Sequence, residues 1–176
     1  MSVHEFVEPE RFVAGTVGPA GQRTFFLQAR ESTRLVSVAL EKTQVAALAE
    51  RIDDLLDTLV RRSGGELPIP ALPLADETDL GPLDTPIEEE FRVAGLSLMW
   101  DDEIDRIVIE ARSEEDEEDT TADVIRVVLT GSSARAFAAR ALTVVAAGRP
   151  PCPLCALPLD PEGHICPRQN GYRRRG

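Results

Sequence analysis

The residues best suited to chemistry lie close together near the C-terminus. All three cysteines of the chain and one of its two histidines occur there, as Cys152, Cys155, His164 and Cys166. Three thiolates and one imidazole form a usual tetrahedral ligand set of structural zinc. The turn residues 160–163 (Asp-Pro-Glu-Gly) can bring the His-x-Cys pair back towards the Cys-x-x-Cys pair. The spacing predicts one structural zinc ion, because four protein ligands leave no coordination position open for a substrate.

Two other interpretations of these cysteines are weaker. A redox-active Cys-x-x-Cys pair stands at the start of a helix, whose dipole lowers the pKa of one thiol. Here Pro153 lies within the pair, Pro158 follows it closely, and Cys166 would have no role. A disulfide is disfavoured because the number of cysteines is odd and a reducing compartment is expected. Without metal, so short a segment with few large apolar residues could not fold by itself.

The residues that follow the predicted zinc site are suited to binding. Arginine donates paired hydrogen bonds to carboxylate or phosphate groups, and tyrosine can stack on a nucleic-acid base. We interpret this segment as a binding element for another protein. A nucleic acid or a phosphate-bearing ligand is one alternative, and pairing with the acidic remainder of the chain is another. The candidate residues are Arg168, Asn170, Tyr172, Arg173, Arg174 and Arg175.

The charge of the chain is unevenly distributed. Its net charge is −12, whereas residues 151–176 carry four arginines against Asp160 and Glu162, a net charge of +2. The first 150 residues therefore carry −14. Binding to a phosphate backbone requires a basic surface, so this composition argues against a general nucleic-acid-binding protein. The opposite charges also favour contact between the tail and the acidic body.

Catalytic side chains are scarce in this sequence. Nucleophilic catalysis by a Ser-His-Asp or Cys-His arrangement needs a histidine, but His164 is assigned to zinc and His4 is expected in a frayed terminus. Residues 101–103 (Asp-Asp-Glu) could supply a carboxylate pair for an enzyme of unknown class, although carboxylates at a strand turn are commonly solvated. The acidic run 114–119 is expected to be a solvated loop. We therefore expect a non-catalytic protein.

The hydrophobic pattern predicts an α+β body. Strands are expected over 11–17, 23–31 and 34–40, followed by a helix over 44–62 with Thr43 as its N-cap. The same order then recurs. Strands are predicted over 91–100, 105–112 and 123–130, and a helix capped by Ser132 or Ser133 runs to residue 147. We interpret this recurrence as two duplicated βββα units with an antiparallel sheet and two main helices.

The predicted domain organisation follows from these repeats. Residues 1–150 form the duplicated body, with halves of about 1–65 and 87–150 and a proline-rich surface linker over 66–86. Residues 151–176 form a small zinc-knuckle-like tail. The expected shared core contains Phe25, Leu27, Val36, Val38, Val45, Leu48, Ile52, Leu55, Ile107, Ile109, Val127, Leu129, Phe137 and Leu142.

The sequence also predicts where the protein resides. No apolar run reaches the roughly 18 residues of a membrane span, and the first residues do not have the pattern of a signal peptide. We therefore expect a cytoplasmic protein without a membrane partner.

Two stretches of the sequence resemble a known family. They are residues 7–18 (Val-Glu-Pro-Glu-Arg-Phe-Val-Ala-Gly-Thr-Val-Gly) and the tail, with Cys-Pro-Leu-Cys followed by Gly-His-Ile-Cys-Pro-Arg-Gln-Asn-Gly-Tyr-Arg-Arg. The chain is similar over essentially its whole length to an uncharacterised actinobacterial family, a domain of unknown function with a zinc-binding tail. The resemblance implies a bacterial cytoplasmic protein without an established activity, and it assigns no catalytic residue.

Overall fold

Apolar runs form eight strands and two α-helices in the described part of the chain. The computed structural model describes residues 2–19, 21–115 and 122–147. In chain order the elements are β1 (Val3–Val7), β2 (Arg11–Val17), β3 (Thr24–Glu31), β4 (Arg34–Leu40), α1 (Lys42–Arg62), a 3-10 turn (Ala75–Glu77), β5 (Glu89–Arg92), β6 (Gly95–Asp101), β7 (Arg106–Arg112), β8 (Val124–Leu129) and α2 (Gly131–Ala146). The fold is α+β, as predicted.

The strands form two four-stranded sheets. The first sheet has the order β2-β3-β4-β5, and the second sheet has the order β1-β8-β7-β6. In each sheet three consecutive strands run antiparallel, and a fourth strand joins one edge in parallel, β5 beside β4 and β1 beside β8. The prediction of an antiparallel sheet is wrong for these two edge pairs. Their partners are distant in sequence, so no hairpin turn signals the pairing.

The expectation that His4 lies in a frayed terminus is wrong. His4 belongs to β1 and pairs with Ile125 of β8. Its Nε2 lies 4.0 Å from Oε2 of Glu90. Phe6, which is completely buried, anchors the strand in the core. A short strand with one large aromatic residue gives too weak a local pattern to be recognised without its partner.

The single strand predicted over 91–100 is in fact two strands in different sheets. The amide of Val93 donates to the carbonyl of Ala39 in the first sheet, at 2.8 Å. The next amide, that of Ala94, donates to the carbonyl of Arg112 in the second sheet, at 2.7 Å. Successive residues of an extended chain point to opposite sides, and here each side meets a different sheet.

Both helices begin earlier than predicted. The predicted N-caps, Thr43 and either Ser132 or Ser133, are wrong, because the N-cap residues are Glu41 and Thr130. The Oγ1 atom of Thr130 accepts a hydrogen bond from the backbone amide three residues later, at 3.0 Å. Each helix follows its strand almost without a loop, so the capping residue is the one directly after the last residue of the strand.

One hydrophobic core joins the inner faces of both sheets to both helices. All the predicted core residues belong to it, with Leu55 and Leu142 partly buried at its edge. The rings of Phe12 and Phe137 stack with centroids 4.6 Å apart, which fixes α2 against β2. Full burial of each large apolar side chain contributes about 1.5–3 kcal/mol. Because residues of both halves form this single core, neither half can bury its apolar surface alone.

The two halves share one plan. A three-stranded antiparallel meander followed by a helix occurs as β2-β3-β4-α1 and again as β6-β7-β8-α2. The short strand before each meander joins the other half's sheet, β1 in the second sheet and β5 in the first. This shared topology does not by itself establish a common origin, so the duplication stays a prediction.

The segment between α1 and β5 is more than a surface linker. Leu72 and Leu80 are exposed, as expected of a linker, but Leu83 is only 8% exposed. Leu83 packs on the face of the first sheet that points away from the core, which we call its outer face.

Neither described helix has the combination of length and apolar composition that crossing a bilayer requires.

Candidate functional site

The predicted zinc ligands and the predicted binding residues of the tail lie outside the described part of the chain. Cys152, Cys155, His164 and Cys166 all follow residue 147, as does the segment 168–175. The zinc ion and the binding tail therefore stay predictions. Within residues 2–19, 21–115 and 122–147, no group of three or more His, Cys, Asp or Glu side chains is arranged to hold a metal ion.

The carboxylates considered for catalysis lie at the turn between β6 and β7. Asp102 and Glu103 are exposed, and Asp101 is half-buried. The amide of Glu103 donates to Oδ1 of Asp101 at 3.0 Å, the usual hydrogen bond of an aspartate that begins a turn. The carboxylate-enzyme interpretation gains no support from this geometry. Of the acidic run, Glu114 and Glu115 are exposed, and the rest lies outside the described residues.

A buried ion cluster joins the segment after α1 to β2 and α2. Asp79 accepts two hydrogen bonds from Arg11, from Nε to Oδ2 at 2.6 Å and from Nη2 to Oδ1 at 3.1 Å. Nη1 of Arg140 lies 3.3 Å from Oδ1 of Asp79 and donates to its backbone carbonyl at 2.8 Å. Nε of Arg140 donates to the carbonyl of Ala14 at 2.9 Å. Asp79 thus connects two arginines from separate elements.

The pKa values in this cluster follow from its contacts. Hydrogen bonds from Arg11 hold the pKa of Asp79 below its ordinary value, although burial opposes that shift. The same hydrogen bonds raise the pKa of Arg11. Burial lowers the pKa of Arg140, and the charge of Arg11 acts in the same direction. Arginine stays protonated in proteins, so two cations share the carboxylate of Asp79 at neutral pH.

A cleft of about 570 Å³ opens beside the cluster. Phe12, Phe137 and Ser133 form part of its wall. Its acidic lining residues outnumber Arg11 and Arg140; they are Glu8, Glu10, Asp76, Glu77 and Asp79. Because both arginines already donate to Asp79, we interpret this cleft as a structural joint and not as an anion-binding site.

Gln28 ties the same segment to the outer face of the first sheet. Its side chain is buried, and Nε2 donates to Oγ of Ser37 and to the carbonyl of Asp84, both at 3.0 Å. Its Oε1 accepts the amide of Asp84 at 2.7 Å. The carboxylate of Asp84 accepts hydrogen bonds from Arg11 at 3.1 Å and from Arg30 at 3.1 and 3.2 Å. One side chain therefore satisfies both backbone groups of Asp84.

The sequence interpretation overlooked these residues, although two signals were present. Gln28 interrupts the apolar run of β3, and Arg140 interrupts the alanine-rich face of α2. Both are buried in the structure. A polar residue inside an apolar pattern predicts a buried hydrogen-bonding role. Its partner cannot be read from the pattern, because Asp84 and Ala14 are far away in the chain.

Replacing Gln28 by leucine is expected to release the segment around Asp84. The change keeps the volume roughly constant but removes both partners of the Asp84 backbone, at a cost of about 1–3 kcal/mol. Amide exchange measured by NMR should show faster exchange at Asp84 in the variant. Gln22→Leu, at an exposed turn position, is the control and should leave this amide protected. Unchanged protection at Asp84 in the Gln28→Leu protein would contradict the prediction.

The outer face of the second sheet carries exposed apolar side chains. Val3, Val7 and Met99 each expose more than half of their surface there. By register, Val7 and Met99 are the exposed ends of a row across all four strands, whose central residues, Val108 and Val128, are buried. An apolar patch bordered by polar residues is typical of an interaction surface. We call this region the open face.

An ionic row lies next to the apolar row on the open face. Nη2 of Arg112 lies 2.8 Å from Oε2 of Glu110, and Nη1 of Arg126 lies 3.5 Å from Oε1 of the same residue. Nε of Arg126 is 4.0 Å from Oε2 of Glu5. That Nε atom is buried and has no hydrogen-bond partner among the described residues. The open face can therefore accommodate an apolar side chain together with a hydrogen-bond acceptor.

Comparison with known proteins places the chain in a family. A family model described as "Protein of unknown function (DUF3090)" matches residues 4–166, which is most of the chain. No curated protein and no solved structure matches it.

Proposed function

The chain belongs to the DUF3090 family, whose function is unknown, and we propose that it is a non-catalytic zinc-binding interaction protein of a bacterial cytoplasm. In this proposal the body is a rigid platform, and the C-terminal tail is the element that binds a protein partner. Zinc bound by Cys152, Cys155, His164 and Cys166 holds the tail in one shape.

The open face of the second sheet is the observation that supports a platform. The described body has one core, and its buried arginines are paired with carboxylates or backbone carbonyls. The first sheet carries the segment around Leu83 on its outer face, whereas the second sheet exposes apolar side chains on the corresponding face. A stable body with an exposed apolar patch is suited to binding and does not suggest an active site.

The tail supplies the charge for recognition. Arg173, Arg174 and Arg175 follow the proposed zinc site closely, with Arg168, Asn170 and Tyr172 before them. A metal-fixed origin would project these side chains in a defined direction, and arginines bind carboxylates through paired hydrogen bonds. We propose an acidic surface of another protein as the partner. The shared plan of the two halves also leads us to propose that the body arose by duplication of a βββα unit.

Replacing Arg173, Arg174 and Arg175 by alanine is expected to weaken partner binding while the zinc is retained. Three ion pairs with a partner at roughly 0.5–1 kcal/mol each correspond to a loss of about 10–100-fold in affinity. The measurement is affinity capture of cytoplasmic proteins by the tagged full chain and its variants, followed by binding assays with the captured partner.

Two controls accompany this test, one for the geometry of the arginines and one for the class of partner. The triple lysine variant keeps the charge but loses the bidentate geometry, so it should bind between the wild type and the alanine variant. Nuclease treatment before capture distinguishes a protein partner from a nucleic acid. Equal capture by the wild type and the alanine variant would contradict the proposal, and so would loss of all captured protein after nuclease treatment.

A further inference from the structure

The three-stranded meanders of the two sheets can be aligned residue by residue. In each meander the last strand ends in a leucine that pairs with a residue at the start of the middle strand. These pairs are Leu40 with Phe25 in the first sheet and Leu129 with Ile107 in the second sheet. Counting from these pairs gives a set of matching outer-face positions in the first and second sheets. The matching positions are Gly15 and Met99, Phe26 and Val108, Ala39 and Val128, Gln28 and Glu110, Ser37 and Arg126, and Arg30 and Arg112.

The outer face of the first sheet is covered by the tripeptide Pro82-Leu83-Asp84. Leu83 packs with Val13, Phe26 and Ala39. Gly15 admits it closely, because a Cβ at that position would lie 2.5 Å from Cδ2 of Leu83. Beside it, the Asp84 carboxylate accepts hydrogen bonds from Arg30. One leucine in an apolar row and one aspartate at an arginine thus hold this segment on the sheet.

The open face of the second sheet offers the same kinds of groups at the matching positions. The apolar row is present as Met99, Val108 and Val128, of which Met99 is exposed and the two valines are buried. Arg112 stands where the first sheet has Arg30. Arg126 adds the buried Nε atom without a partner among the described residues. A covering segment for this face therefore needs an apolar side chain followed by a hydrogen-bond acceptor, ideally a carboxylate.

The chain contains such a segment after the helix of its second half. The tripeptide Pro-Leu-Asp occurs at 82–84, after α1, and again at 158–160, after α2. In the second half it lies between Cys155 and His164, in the loop that the proposed zinc ion would close. The first tripeptide packs on the first sheet. The second tripeptide follows α2, the helix of the other half.

We propose that Pro158-Leu159-Asp160 docks on the open face of the second sheet. Leu159 packs against the exposed Met99 end of the row formed by Met99, Val108 and Val128, and the carboxylate of Asp160 pairs with Arg112 and Arg126. The inference rests on the proposed function, since it names the part of the platform that holds the zinc-bound tail.

Length and shape permit this docking. Thirteen residue steps separate Ala146, the end of α2, from Leu159, and an extended chain of that length spans up to about 43 Å. The body has a radius of gyration of only about 15 Å by the scaling for compact domains, so an extended chain of this length matches the full width of the body. Met99 replaces the glycine of the first sheet, and its unbranched side chain can move aside to make room for Leu159.

The test uses the full-length protein with labelled methyl groups. We expect nuclear Overhauser contacts between the Leu159 methyl groups and those of Met99 or Val128. Leu159→Asp removes these methyl groups and should therefore shift the Met99 and Val128 methyl resonances. Leu157→Asp is the matched control, because it places the same charge in the same loop, and it should leave those resonances unchanged.

A charge exchange tests the second half of the contact. Asp160→Arg should reduce the intensity of the Leu159 contacts, and the added change Arg112→Asp should restore them. Met99→Asp, at an exposed position that should not affect folding, should shift the Leu159 resonances. Absence of any contact between Leu159 and the open face would overturn the proposal. Contacts seen only between labelled and unlabelled molecules would also overturn it, because the occupant would then be a second copy of the chain.

The outcomes separate this inference from the proposed function. A wild-type protein that binds zinc and its partner but shows no Leu159 contacts would contradict the proposed docking and leave the proposed function intact. A protein that shows the contacts without bound zinc confirms the docking and contradicts the zinc-held tail. Zinc content and partner capture are therefore measured on the same wild-type and Leu159→Asp preparations.

Discussion

Replacing Asp79 by alanine is expected to lower the free energy of unfolding by about 3 kcal/mol. The change leaves Arg11 and Arg140 without their shared carboxylate, and their side chains are only 10% and 8% exposed. Removing one partner of a buried pair costs about 3–5 kcal/mol. The lower end applies because Asp79 itself is 37% exposed and because Arg11 keeps its hydrogen bond to the carboxylate of Asp84. Equilibrium unfolding in urea measures the difference.

The control for this prediction is the neighbouring carboxylate Asp76. It is exposed, so Asp76→Ala should change the stability by less than about 0.5 kcal/mol. Equal stabilities of the Asp79→Ala and Asp76→Ala proteins would show that the buried arginines do not need Asp79.

The same carboxylate should make the stability depend on pH in acid. Its pKa in the folded protein lies below the value of about 3.9 for an unfolded aspartate. The unfolded state therefore binds the proton first, and the stabilisation is complete above that value and lost as the pH falls through the lowered folded pKa. Asp79→Asn should show a shallower loss of stability than the wild type from about pH 5 to about pH 2. Parallel curves would contradict this assignment.

The full-length protein, purified without added zinc, is expected to contain about one zinc ion per chain, and Cys155→Ser should lose it. Changes to groups that only support a ligand already weaken zinc binding by about 10–100-fold, so loss of a thiolate should exceed that. The body should stay folded in this variant, because its core is formed by both sheets and both helices within the described residues. Elemental analysis and circular dichroism measure the two effects.

His4 provides the control for the zinc prediction. It is the other histidine of the chain, and it lies in β1 paired with Ile125. His4→Asn should therefore retain the metal. Trace zinc with three free thiols in the wild type, or iron in its place, would contradict the site. Complete unfolding of Cys155→Ser would instead show that the tail is part of the core.

The hydrophobic pattern by itself determined the larger local elements. Strands β2, β3, β4, β7 and β8 and both helices lie where alternating or helical apolar spacing predicted them, within a few residues. Their core residues follow for the same reason, since the pattern reports which side of each element is apolar. The family resemblance was equally available, because the first and last stretches carry it. The predicted zinc ligands depend only on residue type and spacing, and they await measurement.

Only the tertiary structure decided which distant residues meet. The carbonyl of Ala14 is bonded by Arg140, which is 126 positions away, and Asp84 is bonded by Gln28 from 56 positions away. The parallel edge strands and the change of sheet at Val93 depend in the same way on partners far along the chain. Periodicity describes one element at a time and contains no information on the surface that meets it. A polar residue within an apolar pattern therefore indicates that a hydrogen-bond partner is needed. The packing of the whole fold determines which residue that partner is.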